Sequence, residues 1–284
     1  MKILSNAHTH TTWCDGSAGA GEVVEAARKL GFVSLGFSGH AAQGFDDLYS
    51  MMGGRQEKYL SELRELQLEA AKAARLPRLW IGLELDAMSD AAYRRDAYAR
   101  FDYVIGSAHY LSRDFAGACV AADGDPSLLA RYVKEAFDGD GLATARAYFN
   151  IEVDALLRDR PHIIGHFDLI RKYGKQLALF DESDRAYRQL ALDALERAYP
   201  CGGVLEINTG GMARGYLDTP YPTEELLGAW REMGGRVTVT SDCHDAKRLE
   251  YAFDDAVRLA GRAGFTSVLR LGTGSELWEA VDIC

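Results

Sequence analysis

The chain has 284 residues, 48% hydrophobic and 26% charged, with a net charge of −10 at pH 7 and a pI near 5.2. Length allows one large domain or two ordinary ones, and this composition supports a sizeable core rather than a disordered chain. The acidic balance, with no cluster of Lys and Arg, excludes a nucleic-acid surface but not an anionic small substrate, because bound cations can set the local field. The five cysteines (Cys14, Cys119, Cys201, Cys243, Cys284) are odd in number and form no Cys-x-x-Cys pair, so neither a disulfide framework nor a thiolate zinc site is expected. No stretch resembles a signal peptide or approaches the ~20 apolar residues that span a bilayer, which predicts a soluble cytoplasmic protein without a membrane partner.

From the N-terminus, residues 2–7 form the first apolar, β-branched run. A helix is expected over 21–30, with Val23, Ala26, Ala27 and Leu30 on one face and Gly31 as its stop. After a strand at 33–38, residues 56–76 carry Tyr59, Leu63, Leu66 and Ala70 in the stripe of an amphipathic helix. Strands at 79–86 and 103–108 follow, then a long Gly-, Ala- and Asp-rich loop at 114–126 and helices at 127–137 and 142–158. A strand at 163–167, a helix at 183–198 capped by Ser183, and a strand at 204–208 come next. A helix at 223–233 between Thr223 and Gly234, a strand at 237–241, a helix at 249–263 stopped by Gly264, and a strand at 267–271 complete the pattern. This alternation predicts a parallel sheet with helices outside, and seven or eight units fit a closed barrel better than an open sheet. No Gly-x-Gly-x-x-Gly fingerprint follows the first strand, which removes the usual evidence for a dinucleotide fold. With no linker or repeat in view, residues 1–284 are expected to form a single α/β domain.

Six of the seven histidines fall at or just past the C-terminal end of an expected strand. His8 and His10 follow the first strand, His40 the second, His109 the fourth and His244 the seventh, while His166 lies in the fifth. Asp15, Glu84 and Asp242 share the pattern. In a parallel barrel these ends form one face, where active sites are built. A lone His-x-His is weak evidence for metal, and one strand-end histidine is more often a loop or core residue. Six at one predicted face are hard to reconcile with independent placement. His162, at the opposite end of its strand, is read as structural.

In an extended segment, residues i and i+2 point to the same side, so His8 and His10 can grip one ion, and Asp242 and His244 repeat the spacing. Imidazole and carboxylate ligands without thiolate suit zinc, manganese or iron rather than calcium. Nine potential ligands exceed the needs of one tetrahedral ion, and a carboxylate such as Glu84 can bridge two, so a multinuclear site is expected. Cys14 and Cys243 adjoin ligands in sequence but are expected to point away and pack.

Taken in order, His8-Thr9-His10 with Asp15, Gly-Phe-Ser-Gly-His40, Gly-Leu-Glu84, Gly-Ser-Ala-His109, Gly-His166-Phe-Asp-Leu-Ile-Arg171-Lys-Tyr, Glu-Ile-Asn208-Thr-Gly-Gly with Arg214, and Ser-Asp242-Cys-His244 span nearly the whole chain. This set resembles the PHP (polymerase and histidinol phosphatase) family, and the Asp-Leu-Ile-Arg-Lys-Tyr and Ile-Asn-Thr-Gly-Gly stretches resemble its histidinol-phosphate phosphatase branch. The resemblance implies a distorted (β/α)7 barrel, TIM-barrel-like, with the active site at the C-terminal strand ends, and three divalent ions (zinc, manganese or iron). The first ion would take His8, His10, Glu84 and Asp242; the second Glu84 as a bridge, His109 and His166; the third Asp15, His40 and His244. Arg171 and Arg214 would hold the phosphate, and with Glu84 and Asp242 would form the catalytic set. Asp242 or a neighbouring histidine is the expected proton source for the leaving oxygen. Some relatives carry His where Asp15 stands, and the loop after Asn208 varies in length among them.

The implied reaction is hydrolysis of L-histidinol phosphate to L-histidinol and phosphate, a step of histidine biosynthesis, with a small-molecule phosphate ester as the partner. Phe45, Asp46, Asp47 and Tyr110 adjoin motif residues and are candidates for recognising its amine and imidazole. Three readings compete: a PHP-type enzyme acting on another phosphomonoester or cyclic phosphodiester, a metal-dependent amidohydrolase, and a catalytically silent metal-binding protein. The amidohydrolase reading lacks the strand-borne Lys such barrels commonly use.

Overall fold

The computed structural model describes residues 3–46, 48–73 and 75–283, so Lys2, Asp47 and Cys284 of the expectations above lie outside the described residues. Strand β1 (Ser5–Asn6) leads into α1 (Ala20–Leu30), followed by β2 (Ser34–Phe37), α2 (Arg55–Ala70), β3 (Arg78–Asp86), α3 (Ala91–Arg100) and β4 (Tyr103–Ser107). A hairpin of β5 (Tyr110–Phe115) and β6 (Ala118–Ala121) interrupts the alternation before α4 (Pro126–Ala136) and α5 (Gly141–Asp159). Then come β7 (Ile163–Ile164), the short α6 (Gly174–Leu177), α7 (Arg185–Ala198), β8 (Val204–Asn208), the short α8 (Gly210–Ala213), α9 (Glu224–Glu232), β9 (Val237–Thr240), α10 (Phe253–Arg262), β10 (Ser267–Leu271) and β11 (Trp278–Asp282).

Local chemistry accounts for the boundaries. Helix α1 buries Val23, Val24 and Ala27, carries Glu22 in its first turn and Arg28 and Lys29 in its last, and ends at Gly31 with φ at 77°. Thr223 caps α9 as expected, accepting from the Leu226 N–H. The cap of α7 is Asp184, one residue beyond Ser183, and it accepts from the Ala186 N–H at 2.7 Å. None of the described helices is long and apolar enough to cross a membrane.

The main sheet has the order β1-β2-β3-β4-β7-β8-β9-β10-β11, parallel except for the β10–β11 pair. Its first seven strands close into a ring. Thr9, just past β1, bridges Cys243, just past β9, with the His10 N–H to the Cys243 carbonyl at 2.8 Å and the Cys243 N–H to the His8 carbonyl at 3.0 Å. The architecture is the expected distorted (β/α)7 barrel. Strand β10 leaves the ring, pairing with β9 only at Leu269–Thr238. Its end crosses the lower mouth, where the Ser34 hydroxyl donates to the Leu271 carbonyl at 2.5 Å and the Trp80 indole N–H to the Gly272 carbonyl at 2.8 Å.

Ala7, Trp80, Tyr103, Ile105, Ile163 and Leu271 fill the barrel interior as a cluster of their own. The Tyr103 ring lies across it, its hydroxyl donating to the Ala7 carbonyl at 2.5 Å, directly beneath His8. Gly82 leaves room for that ring, because a Cβ there would stand 2.3 Å from Tyr103 Cζ. A Gly82→Ala variant should therefore lose about 1–3 kcal/mol of stability in urea unfolding, the usual cost of overpacking.

Several elements depart from expectation. Residues 114–126 are not one long loop: Phe115 pairs with Ala118 across a two-residue turn in which Ala116 and Gly117 have φ of 53° and 83°, the primed-turn geometry of hairpins. Helix α3 and strand β11 carried no periodic apolar signal strong enough to mark them.

Candidate metal centre

Glu84 is the hub of the upper face. It is 2% exposed, and its two oxygens meet five imidazoles. Oε2 faces His8 Nε2 at 3.2 Å, His40 Nδ1 at 3.0 Å and His10 Nε2 at 3.6 Å. Oε1 faces His166 Nε2 at 3.1 Å and His109 Nε2 at 3.3 Å, and accepts from the Ser107 hydroxyl at 2.7 Å. Asp242 Oδ1 stands 3.1 Å from His10 Nε2 and 3.6 Å from His8 Nε2. Asp15 gathers the remaining corner, with His244 Nε2 at 3.1 Å, His10 Nδ1 at 3.4 Å and His40 Nε2 at 3.6 Å. All nine strand-end residues named from sequence thus converge. His162 does not: at the opposite end of β4 its Nδ1 accepts from the Val104 N–H at 3.1 Å.

The donor set fits cations. His8 Nε2, His10 Nε2 and Glu84 Oε2 are buried without a hydrogen-bond partner, and each faces another of the set. Buried polar atoms are normally paired, and lone pairs that converge without a donor between them make a site for a cation. Three groups have one ligand atom per residue, all within 4.8 Å of one another: His8, His10 and Asp242; His40, Glu84 and His109; and His10, Asp15, His40 and His244. Nitrogen and oxygen donors of this kind suit zinc, manganese or iron. This grouping shares His10 and His40 between clusters, where the resemblance gave each one ion. His166 enters through Glu84 Oε1 alone.

Charge coupling within the cluster is strong. Burial would raise the Glu84 pKa, but His8, His40 and His109 hold it well below the usual carboxylate range. Burial would lower the His8 pKa, yet Glu206, Glu84 and Asp242 push it up to about 10. His40 is pushed up to about 9 against its burial by Glu84 and Asp15. The carboxylates demand positive charge at this spot, whether from protons or from metal.

Two carboxylates behind the ligands were not identified from sequence. Glu206 on β8 holds His8 Nδ1 at 2.9 Å and accepts from the His166 N–H, the Asn208 amide and the Thr240 hydroxyl. Asp86, two residues beyond Glu84 on the same face of β3, accepts from the His109 N–H at 2.9 Å and meets its Nδ1 at 3.2 Å. Their one sequence signal is an acidic residue inside an apolar strand. Such partners fix the imidazole ring and its tautomer, and losing one typically costs ~10–100-fold in metal affinity. Glu206→Gln should weaken metal binding by that factor in a chelator competition.

Two local expectations are corrected. Asp242 has φ at 46°, so the Asp242–His244 pair is set by a left-handed turn and not by extended i, i+2 geometry. Cys14 does not point away: its Sγ lies 3.5 Å from His10 Nδ1. Cys243 does pack into the core.

The cluster opens into a cavity of about 750 Å³, lined on its outer wall by Phe45, Asp46, Tyr49 and Tyr110. Arg214 reaches it from beyond α8. Its Nη2 donates to Asp242 Oδ2 at 2.9 Å, and its Nη1 lies 3.3 Å from the Asp242 carbonyl and 3.1 Å from His244 Nδ1. Arg171 is not brought to the cavity, which corrects its expected place. Nε donates to Glu182 at 2.7 Å, Nη1 to Asp168 and to the Pro220 carbonyl, both at 3.2 Å, and Nη2 to Thr219 at 2.9 Å. It lines a different crevice, beside Tyr187 and Thr223. Within the tight turn Leu169–Tyr173, neighbouring side chains diverge, and the cation that enters the cavity is Lys172.

The PHP domain model matches residues 6–210. The chain belongs to the PHP domain family. It is 30% identical over 264 residues to a Deinococcus radiodurans protein named "Probable histidinol-phosphatase", covering 91% of this PHP chain and 93% of that one. To the histidinol-phosphatase of Bacillus subtilis it is 25% identical over 268 residues, covering 87% and 96%. Its fold is similar to that of the Lactococcus lactis histidinol phosphate phosphatase solved with zinc, L-histidinol and phosphate, with a TM-score of 0.67 at 21% identity, over 95% of this chain and 97% of that one. At that identity the likeness speaks for the fold.

Proposed function

We propose that this PHP chain, one barrel domain over residues 1–284, is a metal-dependent phosphomonoesterase that hydrolyses L-histidinol phosphate to L-histidinol and phosphate. The observation that carries the reading is the ring of five imidazoles around Glu84 at the floor of a cavity whose wall also carries Lys172 and Arg214. The names of its relatives supply the substrate. Three divalent ions (zinc, manganese or iron) would be held by His8, His10, Glu84 and Asp242, by Glu84, His109 and His166, and by Asp15, His40 and His244.

Bound divalent ions supply Lewis acidity toward the phosphoryl oxygens. The chain's own part is positioning and charge, the main resource in phosphoryl transfer. Arg214 braces Asp242 and keeps guanidinium donors at the cavity wall, where a phosphoryl oxygen would make a charge-assisted bond. Burial would raise the Asp242 pKa, but Arg214 and His8 bring it well below the usual range. Asp242 therefore acts as an anionic anchor and not as the acid that protonates the leaving oxygen. Phe45, Asp46 and Tyr110 would face the imidazole and amine of the substrate, Asp46 already accepting from the Tyr110 hydroxyl at 2.8 Å.

The decisive experiment assays metal-reconstituted protein against L-histidinol phosphate and a panel of other phosphomonoesters, with bound metal counted per chain. Preference for histidinol phosphate and three ions per chain are expected. Strong turnover of another ester alone would overturn the substrate, and metal uptake without hydrolysis of any ester would overturn the enzyme.

A further inference from the structure

We propose that Glu152, on the inner face of α5, braces the Ala108–His109 corner from behind the barrel wall and so positions His109 toward its ion. The proposal rests on the metal-centre reading above. Three consecutive residues at the end of β4 each face a different carboxyl. The Ser107 hydroxyl donates to Glu84 Oε1 at 2.7 Å and the His109 N–H to Asp86 Oδ2 at 2.9 Å, both on the ligand side. Ala108, between them, turns its N–H the other way, toward the carboxyl of Glu152. The corner is thus held from both sides, and the imidazole it carries stands 3.3 Å from Glu84 Oε1.

Glu152 is an unusual residue for its place. Thr144, Tyr148 and Glu152 follow one another at four-residue intervals along the buried face of α5, and each is 0% exposed. Neither Glu152 oxygen has a hydrogen bond of good geometry, and neither has the Tyr148 hydroxyl one turn earlier. The adjoining cavity, walled by Leu85, Ala87, Gly106 and Pro161 together with Asp159, offers about 10 Å³, room for one water at most. Among the described residues that line it there is no cation. An ionised carboxylate can be neither solvated nor neutralised there, which favours the uncharged acid. Burial holds the Glu152 carboxyl well above the usual carboxylate range, with His109 and the Ala108 N–H opposing the shift and Asp86 and Glu84 adding to it.

The uncharged acid has one acceptor and one donor to offer. Its carbonyl oxygen serves the Ala108 N–H, and its O–H serves the Tyr148 oxygen, four residues away on the same helix face. Leucine would fill the same space with no polar group to satisfy, but it would leave the N–H of the residue preceding a ligand without this acceptor. Asp86 fixes the His109 ring directly, whereas Glu152 fixes the backbone that carries it.

The test compares wild type, Glu152→Gln and Glu152→Leu by chelator competition for zinc and by the visible absorption of cobalt-substituted protein, which reports ligand geometry. Glu152→Gln keeps one acceptor and one donor and should match wild type in both readouts. Glu152→Leu should bind zinc about 10-fold more weakly, the lower end of what losing a partner behind a ligand costs, and should shift the cobalt spectrum. Infrared difference spectra between wild type and Glu152→Gln at pH 7 should show the carbonyl band of a protonated carboxylic acid in wild type alone. Wild-type zinc affinity and cobalt spectrum in a folded Glu152→Leu protein overturn the proposal, whatever its stability in urea. Weakened zinc binding in Glu152→Gln overturns it too, as does an ionised Glu152 in the infrared, and both readouts stand if Glu152→Leu fails to fold. A wild-type protein that takes up no metal overturns the metal-centre reading and this inference together. Metal uptake and ester hydrolysis indifferent to Glu152 overturn this inference alone.

Discussion

Glu84→Gln leaves a folded protein whose kcat/KM on a phosphomonoester is about 10³-fold lower or worse, the scale of losing an electrostatic element at the reacting centre. The amide keeps the shape of the side chain and can still accept from Ser107, so the near-ultraviolet circular dichroism should match wild type. What it loses is the charge that His8, His10, His40, His109 and His166 all face. Metal bound per chain should fall in the same preparation, because the carboxylate shared between neighbouring ligand groups is gone. Near-wild-type turnover in this variant would sink the idea that one carboxylate unites the ligand groups.

Stripping the metal should abolish turnover and make stability depend on pH in a direction that can be stated in advance. In the metal-free protein, His8 and His40 hold protons up to about 10 and about 9, against 6.5 for an ordinary imidazole. Each therefore favours the folded state fully below pH 6.5, and that contribution is lost as the pH climbs through 9 to 10. The carboxylates act in the opposite sense. Glu84 and Asp242, held well below their usual range, stabilise the fold above that range and cease to do so in acid. The melting temperature of the stripped protein should thus fall as the pH is raised from about 7 toward 10. Metal-loaded protein, whose ligating imidazoles are already deprotonated, should change little over that interval, and its metal affinity should rise with pH as protons cease to compete. A stripped protein equally stable across that interval would contradict the paired-proton picture.

The sequence revealed the ligand set because strand-end position in a parallel barrel is legible from short β-branched runs, each followed by a histidine or carboxylate. His8, His40, His109 and His166 could be placed on one face without knowing any distance between them. What escaped notice depends on directions within turns and on partners behind the first layer. Arg171 and Lys172 are adjacent in sequence, and only the turn Leu169–Tyr173 decides which one enters the cavity. Glu206 stands alone as an acidic residue in an apolar strand and Asp86 closes the strand that carries Glu84, and their tie to His8 and His109 is a long-range contact. The i, i+2 argument worked for His8 and His10, whose rings sit 5.1 Å apart, and failed for Asp242, where the backbone turns left-handed. The β5–β6 hairpin was hidden because Ala-Gly is a less conspicuous primed turn than Asn-Gly.

The bridge between Thr9 and Cys243 also bears on when the site comes into being. It joins two segments separated by most of the chain, and each carries ligands on both sides of the bridge. While a ribosome is still extending the polypeptide, His8, His10 and Glu84 are present for a long interval without Asp242 or His244. Contacts of such sequence separation form late, since loop closure must precede any gain from them. Ring closure and completion of the ligand set are therefore one event, late in folding, and the proposed metal centre can be completed only after Asp242 and His244 have been made.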